Sequence, residues 1–100
     1  MSRLDEEIHR LRARKKNTRF NDLVNLCEQH FGPARIKGSH HIFKTPWPGD
    51  PRINLQEDKR EKGKAKPYQV KQVIVALRKL QEMEEGKKRG DAYHASEEDN

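Results

Sequence analysis

The sequence has little cysteine, few aromatic residues and no long apolar run. Cys27 is the only cysteine, which excludes an intrachain disulfide, and its place on an apolar helix face indicates a small core residue. No apolar segment resembles a signal peptide or a membrane span, so we expect a cytoplasmic protein with no membrane partner. Hydrophobic residues make up 31% of 100 residues, which suffices for one compact domain but not for two. A deep, enclosed active site is therefore not expected.

Positive charge is abundant. Lys and Arg number 22 against 16 Asp and Glu, a net charge of +6. The last eleven residues hold four carboxylates and neither Lys nor Arg, so residues 1–89 carry a net charge of +10. A positive surface on a small protein attracts polyanions, and nucleic acid is the commonest of these. The alternative interpretation is a charged surface that only keeps the protein in solution.

The N-terminal segment has a weak helical pattern. Leu4, Ile8 and Leu11 recur at helical spacing within an otherwise charged stretch and predict a helix over residues 3–15. Three apolar residues form a thin stripe. Residues 1–17 are thus a basic helical extension, either packed on the domain as an accessory helix or frayed as a basic arm, and the pattern does not decide between the two.

Two stronger amphipathic patterns predict the helices of the domain. The first covers residues 19–31, with Thr18 as its N-cap and Gly32 as its stop. The second begins at Pro67, which suits the first position of a helix, and closes at Gly86. It carries the strongest apolar stripe in the chain and is expected to supply half of the core.

Between these helices the apolar spacing shortens to two, which indicates strands. Three short strands are predicted over residues 34–37, 40–45 and 51–56, as a β-meander. Trp47, in the turn before the third strand, either stacks on a base or pins its own turn. Residues 57–66 are almost entirely charged and predict an exposed, mobile loop.

The order of these elements predicts an α+β fold. Helix, three antiparallel strands and helix make an α-β-β-β-α sandwich in which both helices cover one face of the sheet and leave the other face open. This is the arrangement of double-stranded RNA-binding domains. The domain is expected to span residues 18–86, followed by a disordered tail over residues 87–100.

The second strand carries the most informative residues. Alternation places His40 and Lys44 on one face and His41 and Phe43 on the other. Phe43 is large and apolar, and Lys44 cannot be buried without a partner. We therefore expect His41 and Phe43 to face the helices and His40 to face solvent.

An exposed histidine on a basic protein suggests a ribonuclease site. Histidine can accept the proton of an RNA 2′-hydroxyl, and nearby cations can neutralise the phosphate that is attacked. The candidate catalytic residues are His40, as the base, and His41, as its support near the core edge. No metal or other cofactor is expected, because adjacent strand residues diverge and no Cys or carboxylate lies beside them at ligand spacing. The alternative is an ordinary surface histidine.

Further residues are candidates for RNA contact. Gly38 allows a close backbone approach and Ser39 offers a hydroxyl beside His40. The loop at residues 57–66, called the basic loop below, runs into the N-terminus of the last helix, whose free amides favour phosphate. Ordinary solvated surface charge explains the lysines of this loop equally well. The RNA-binding candidates are Lys37, Gly38, Ser39, Lys44, Lys62, Lys64 and Lys66.

The stretch Lys37-Gly38-Ser39-His40-His41-Ile42-Phe43-Lys44, between a preceding helix and a proline-containing turn, resembles the HicA family of bacterial toxin ribonucleases. The resemblance covers about residues 19–84. It implies the double-stranded RNA-binding fold, cleavage of messenger RNA through the histidine of the Gly-Ser-His segment, and silencing by a HicB-type antitoxin. Carried over, it makes His40 the catalytic candidate, framed by Gly38 and Ser39.

The chain departs from the HicA pattern after the third strand. Many family members have Pro-x-His there, whereas this chain has Asn54-Leu55-Gln56-Glu57, so a second histidine from that position is absent. The stretch at residues 63–70 resembles that of a subset of relatives. Together with the exposed His40, the resemblance implies a metal-independent endoribonuclease, the toxin of a type II toxin–antitoxin system. The alternative is a non-catalytic RNA-binding or protein-interaction module on the same fold.

Overall fold

The computed structural model describes residues 3–93, with the side chains of residues 3–86. This part of the chain forms three helices and one three-stranded antiparallel sheet, which confirms the predicted α+β class. The helices are α1 (Arg3–Ala13), α2 (Phe20–Phe31) and α3 (Pro67–Tyr93), and the strands are β1 (Arg35–Lys37), β2 (His40–Phe43) and β3 (Ile53–Leu55). The strands lie in chain order, as a meander requires. None of the three helices, over residues 3–93, combines the length and the apolar character of a membrane span.

Helices α2 and α3 cover one face of the sheet. In β3, Ile53 and Leu55 are buried while Asn54 between them is exposed. Because side chains alternate along a strand, this pattern leaves one face packed and the other open. The largest fully buried side chains are Leu23, Ile53, Leu55, Leu77, Val70, Val73 and Cys27. The core therefore lies between the sheet and these two helices.

Helix α1 is packed on the domain. Leu4, Ile8 and Leu11 are buried, belong to the same core cluster and face α3. Nε2 of His30, at the end of α2, lies 2.5 Å from Oε1 of Glu7 and ties α2 to α1. Of the two alternatives for the N-terminal segment, the packed accessory helix is the one observed.

Thr18 does not cap α2, contrary to the prediction. The cap position is Arg19, and no side chain bonds to the free amides there. The Thr18 hydroxyl instead donates to the carbonyl of Arg14 at 2.7 Å, which closes the turn after α1. The side chain is thus engaged with the backbone four residues before it instead of with the amides of α2.

The predicted end of the last helix at Gly86 is wrong, because α3 continues to Tyr93. A glycine inside a helix costs only about 1 kcal/mol relative to alanine, and the Glu and Lys residues around it favour the helix. The tail predicted to be disordered over residues 87–100 thus begins inside α3. Residues 94–100 lie outside the described residues.

The turn between β2 and β3 is organised around Trp47. Its Nε1 donates to the carbonyl of Pro51 at 2.9 Å, and its ring packs edge-on against Phe31 with centroids 5.9 Å apart. Nζ of Lys79 lies 5.6 Å from the ring centroid. Trp47 is buried and pins this turn, so it is not available to stack on a base. The turn takes residues 44–52, which makes β2 and β3 shorter than predicted.

The loop after β3 is exposed at its tip, as predicted, but it is anchored to α2 rather than loose. The amide of Phe20 donates to the carbonyl of Gly63 at 2.9 Å, and the amide of Ala65 donates to the carbonyl of Thr18 at 2.9 Å. Ala65 is buried, and the carboxylate of Glu57 accepts the amide hydrogen of Gly63. These bonds correct the expectation of a mobile loop.

Candidate active site

The strand register shows which residues share the open face of the sheet. Lys37 of β1 lies opposite His40 of β2, and Ile42 of β2 lies opposite Asn54 of β3. Residues directly opposed in an antiparallel pair place their side chains on the same face. Since Asn54 is exposed while its neighbours in β3 are buried, this shared face is the open one. His40 therefore faces away from the helices, as the alternation predicted.

His40 is oriented by a neighbour on β3. Its Nδ1 lies 2.9 Å from the side-chain oxygen of Asn54. An amide oxygen only accepts hydrogen bonds, so Nδ1 of His40 carries the hydrogen in this contact. In the neutral ring the other nitrogen, Nε2, then holds an unshared electron pair. This is the tautomer that a general base acting through Nε2 requires.

His41 points in the opposite direction. Its ring packs edge-on against Phe20 of α2, with centroids 5.1 Å apart, and its Nδ1 is buried without a hydrogen-bond partner. The two neighbouring histidines thus lie on opposite faces of the sheet and cannot contact the same phosphate. The structure gives His41 a packing contact and does not bring it into the site with His40.

A chain of hydrogen bonds joins the turn before His40 to the basic loop. Nε2 of Gln56 donates to the hydroxyl of Ser39 at 2.8 Å, and Nζ of Lys66 donates to Oε1 of Gln56 at 3.1 Å. The backbone amide of Gln56 donates to the side-chain oxygen of buried Gln69 at 3.0 Å, which holds this residue in place. Gln56 therefore connects Lys66 of the loop to Ser39, the residue before His40.

The remaining predicted contact residues divide into two groups. Gly38 adopts a left-handed conformation (φ +63°) in the β1–β2 turn, with open space around it, and exposed Lys37 lies beside it. Exposed Lys44 follows β2 at the far end of the strand. Lys62 and Lys64 belong to the other group, because they lie where the loop meets the start of α2 rather than beside His40. Nζ of Lys64 is 3.3 Å from the carboxylate of Glu61.

Three contributors to this site were missed from the sequence: Asn54, Gln56 and Gln69. Residues 54–57 were noted only for the absence of a second histidine. The signal was nevertheless present, since a β-meander with alternating side chains puts residues 54 and 56 on the face that carries His40. Gln69, on the helix, had no comparable signal.

No cluster of three or more His, Cys, Asp or Glu side chains that could hold a metal ion occurs among the described residues. The site consists instead of one oriented imidazole, a hydroxyl, two amides and two lysines. Its arrangement suits binding of a phosphodiester and removal of a proton from a group next to it. No protein-family model, no curated protein and no solved structure matches this chain.

Proposed function

We propose that this protein is an endoribonuclease of the HicA type, the toxin of a toxin–antitoxin pair, with His40 as its general base. The observation that carries the proposal is the hydrogen bond from His40 to Asn54 on the open sheet face, which leaves Nε2 of His40 free to accept a proton. The α+β architecture, with two helices on one face of a three-stranded meander, also supports the proposal, because the HicA resemblance implies helices and strands in this order.

The proposed reaction is a transesterification within RNA. Nε2 of His40 removes the proton of a 2′-hydroxyl, and the resulting oxygen attacks the adjacent phosphorus while the bond from phosphorus to the 5′-oxygen breaks. The leaving oxygen takes a proton from the imidazolium or from water. The products are a 2′,3′-cyclic phosphate and a 5′-hydroxyl. Lys37 and Lys66 neutralise charge on the phosphate, and the reaction as written uses no metal ion.

The test is replacement of His40. We expect His40→Ala to lower the rate of RNA cleavage by about 10²- to 10⁴-fold, the usual contribution of a general base. His9→Ala is the matched control, because His9 is an exposed histidine on α1, away from the open sheet face. Cleavage by the unaltered protein is expected to persist in EDTA and to leave a cyclic phosphate. A folded His40→Ala protein that cleaves at the parent rate contradicts the proposal.

A second candidate function is RNA binding without cleavage. It is favoured by the side chains around His40, since Ser39, Asn54 and Gln56 form hydrogen bonds but cannot act as general acids at neutral pH. No second histidine stands ready there to protonate the leaving oxygen. This alternative predicts salt-dependent binding of RNA that is never shortened. The same incubation with a long mixed-sequence RNA decides between the two.

A toxin of this type needs a protein that silences it. We propose a HicB-type antitoxin as partner and the cytoplasm as the place of the reaction, where messenger RNA is translated. Expression of the chain alone is expected to arrest growth, and co-expression of its antitoxin or the change His40→Ala is expected to relieve the arrest. Growth that is unaffected by the unaltered chain contradicts the toxin proposal.

A further inference from the structure

An open groove lined by arginines runs between α1 and α2, outside the site described above. Its volume is about 360 Å³, and Arg10, Arg14 and Arg19, all exposed, line it. Two carboxylates also line the groove: Glu7, which is engaged by His30, and Asp22 in the first turn of α2. The groove therefore presents more positive than negative charge.

The basic loop after β3 extends this charge. Arg19 and Lys64 form an antiparallel bridge, so their side chains lie on the same side of the paired backbone. Like charges placed directly opposite each other destabilise a protein unless an anion comes between them. Glu61 offsets Lys64 in part, at 3.3 Å, and Lys62 next to it is exposed. The pairing thus gathers cations from two distant parts of the chain.

The loop links this positive surface to the candidate active site. Lys66 follows Lys64 in the loop and reaches Gln56, which is bonded to Ser39, the residue before His40. Cationic side chains therefore extend from the His40 site along the loop to the groove. We call this set the basic track: Arg10, Arg14, Arg19, Lys62, Lys64 and Lys66.

We infer that the basic track is a second RNA-binding surface, which holds the phosphates of the strand whose cleavage site lies at His40. The inference rests on the proposed function. Arginine forks match the geometry of phosphate oxygens, and the remaining groove residues include Asn17, Asn25 and Gln29, which can also bond to phosphate or sugar. No aromatic residue lines the groove, so it offers no platform for base stacking. The track therefore binds RNA without regard to base sequence.

The test compares two triple variants that lose the same charge. The track variant is Arg10→Gln, Arg14→Gln and Arg19→Gln; the control is Arg12→Gln, Lys71→Gln and Arg78→Gln, also exposed but outside the groove. The probe is a 2′-O-methyl RNA of about 20 nucleotides, longer than the roughly 4–16 nucleotides that one single-strand-binding fold covers. Because it lacks the 2′-hydroxyl, it cannot be cleaved.

The track variant is expected to bind this probe about tenfold more weakly or worse, while the control stays close to the unaltered protein. Loss of three phosphate contacts also makes the dependence of the logarithm of the association constant on the logarithm of salt concentration less steep. The magnitude of its slope falls by about 2, since each contact contributes about 0.7 for a single strand. Equal losses in both variants, or no loss in the track variant, overturn the inference. Binding of polyglutamate in preference to RNA also overturns it, in favour of an acidic protein partner. Binding is measured here without cleavage, so failure of the His40 assignment appears separately, in the cleavage assay.

Discussion

At the scale of single residues, the two adjacent histidines show how much depends on the direction of a side chain. His40 donates through Nδ1 to Asn54, whereas the Nδ1 of His41 is buried without a partner. His41 therefore contributes packing against Phe20, while His40 keeps a nitrogen available for chemistry.

Asn54 is predicted to be a positioning residue for His40. In Asn54→Asp the carboxylate still accepts the hydrogen of Nδ1, but its charge stabilises the protonated ring. A larger fraction of His40 is then protonated at a given pH, and the acidic limb of the profile of kcat/KM against pH moves to higher pH. The profile is measured with a short RNA substrate.

Two controls accompany this prediction. Asn21→Asp, on the exposed side of α2, makes the same charge change away from the sheet and is expected to leave the limb in place. Asn54→Ala removes the acceptor without adding charge, so it lowers kcat without moving the limb upward. An unchanged profile in Asn54→Asp contradicts the positioning role, because a merely structural residue would not shift it.

At the scale of elements, helix α1 shows most clearly what a local sequence pattern leaves open. Its three apolar residues indicated a helix but not what that helix touches. The structure packs them against α3, with the bond between Glu7 and His30 as a second attachment, to α2. Because Arg10 of this helix and Arg14 just after it line the groove beside α2, the N-terminal segment also contributes to the basic track.

The change Ile8→Ala tests this packing. Ile8 is buried, so its truncation is expected to lower the free energy of unfolding by about 2–4 kcal/mol through lost burial and a residual cavity. The measurement is urea unfolding followed by circular dichroism. Glu6→Ala, on the exposed side of the same helix, is expected to stay within about 0.5 kcal/mol of the parent. Equal midpoints for Ile8→Ala and the parent would show that α1 does not pack on the domain in solution.

At the scale of the whole molecule, one core joins all three helices to the sheet. The core cluster contains Leu11 of α1, Cys27 of α2, Phe43 of β2 and Leu77 of α3. Burial raises the pKa of the Cys27 thiol to about 12, and the nearby charge of Glu28 adds to the rise. The native thiol is therefore neutral and shielded, and it becomes reactive only when the core opens.

A single core predicts a single unfolding transition. Fluorescence of Trp47, in the turn after β2, and reactivity of Cys27, in α2, are expected to change at the same urea concentration as the circular dichroism of the helices. Each probe reports on a different element. Reactivity of Cys27 towards a thiol reagent at a urea concentration that leaves Trp47 fluorescence unchanged would show that α2 opens separately.

The sequence alone determined the features that depend on local rules. Spacings of two and of three to four residues predicted the three strands and the helices, and the same alternation, with the bulk of Phe43 and the charge of Lys44, predicted that His40 faces outward. Capping and stop signals were less reliable: Thr18 bonded to the preceding turn, and α3 passed through Gly86. A single hydroxyl or glycine contributes only about 1 kcal/mol, which neighbouring structure easily exceeds.

Only the tertiary structure decided which distant segments meet. The bond from His40 to Asn54, the bridge between Arg19 and Lys64, and the packing of α1 on α3 each join residues far apart in the chain. Periodicity reports which face of an element is apolar, but it carries no information on which partner covers that face or on the partner's exact position. Those contacts follow from the fit of whole elements around one core, and they link the loop after β3 both to the start of α2 and to the residue before His40.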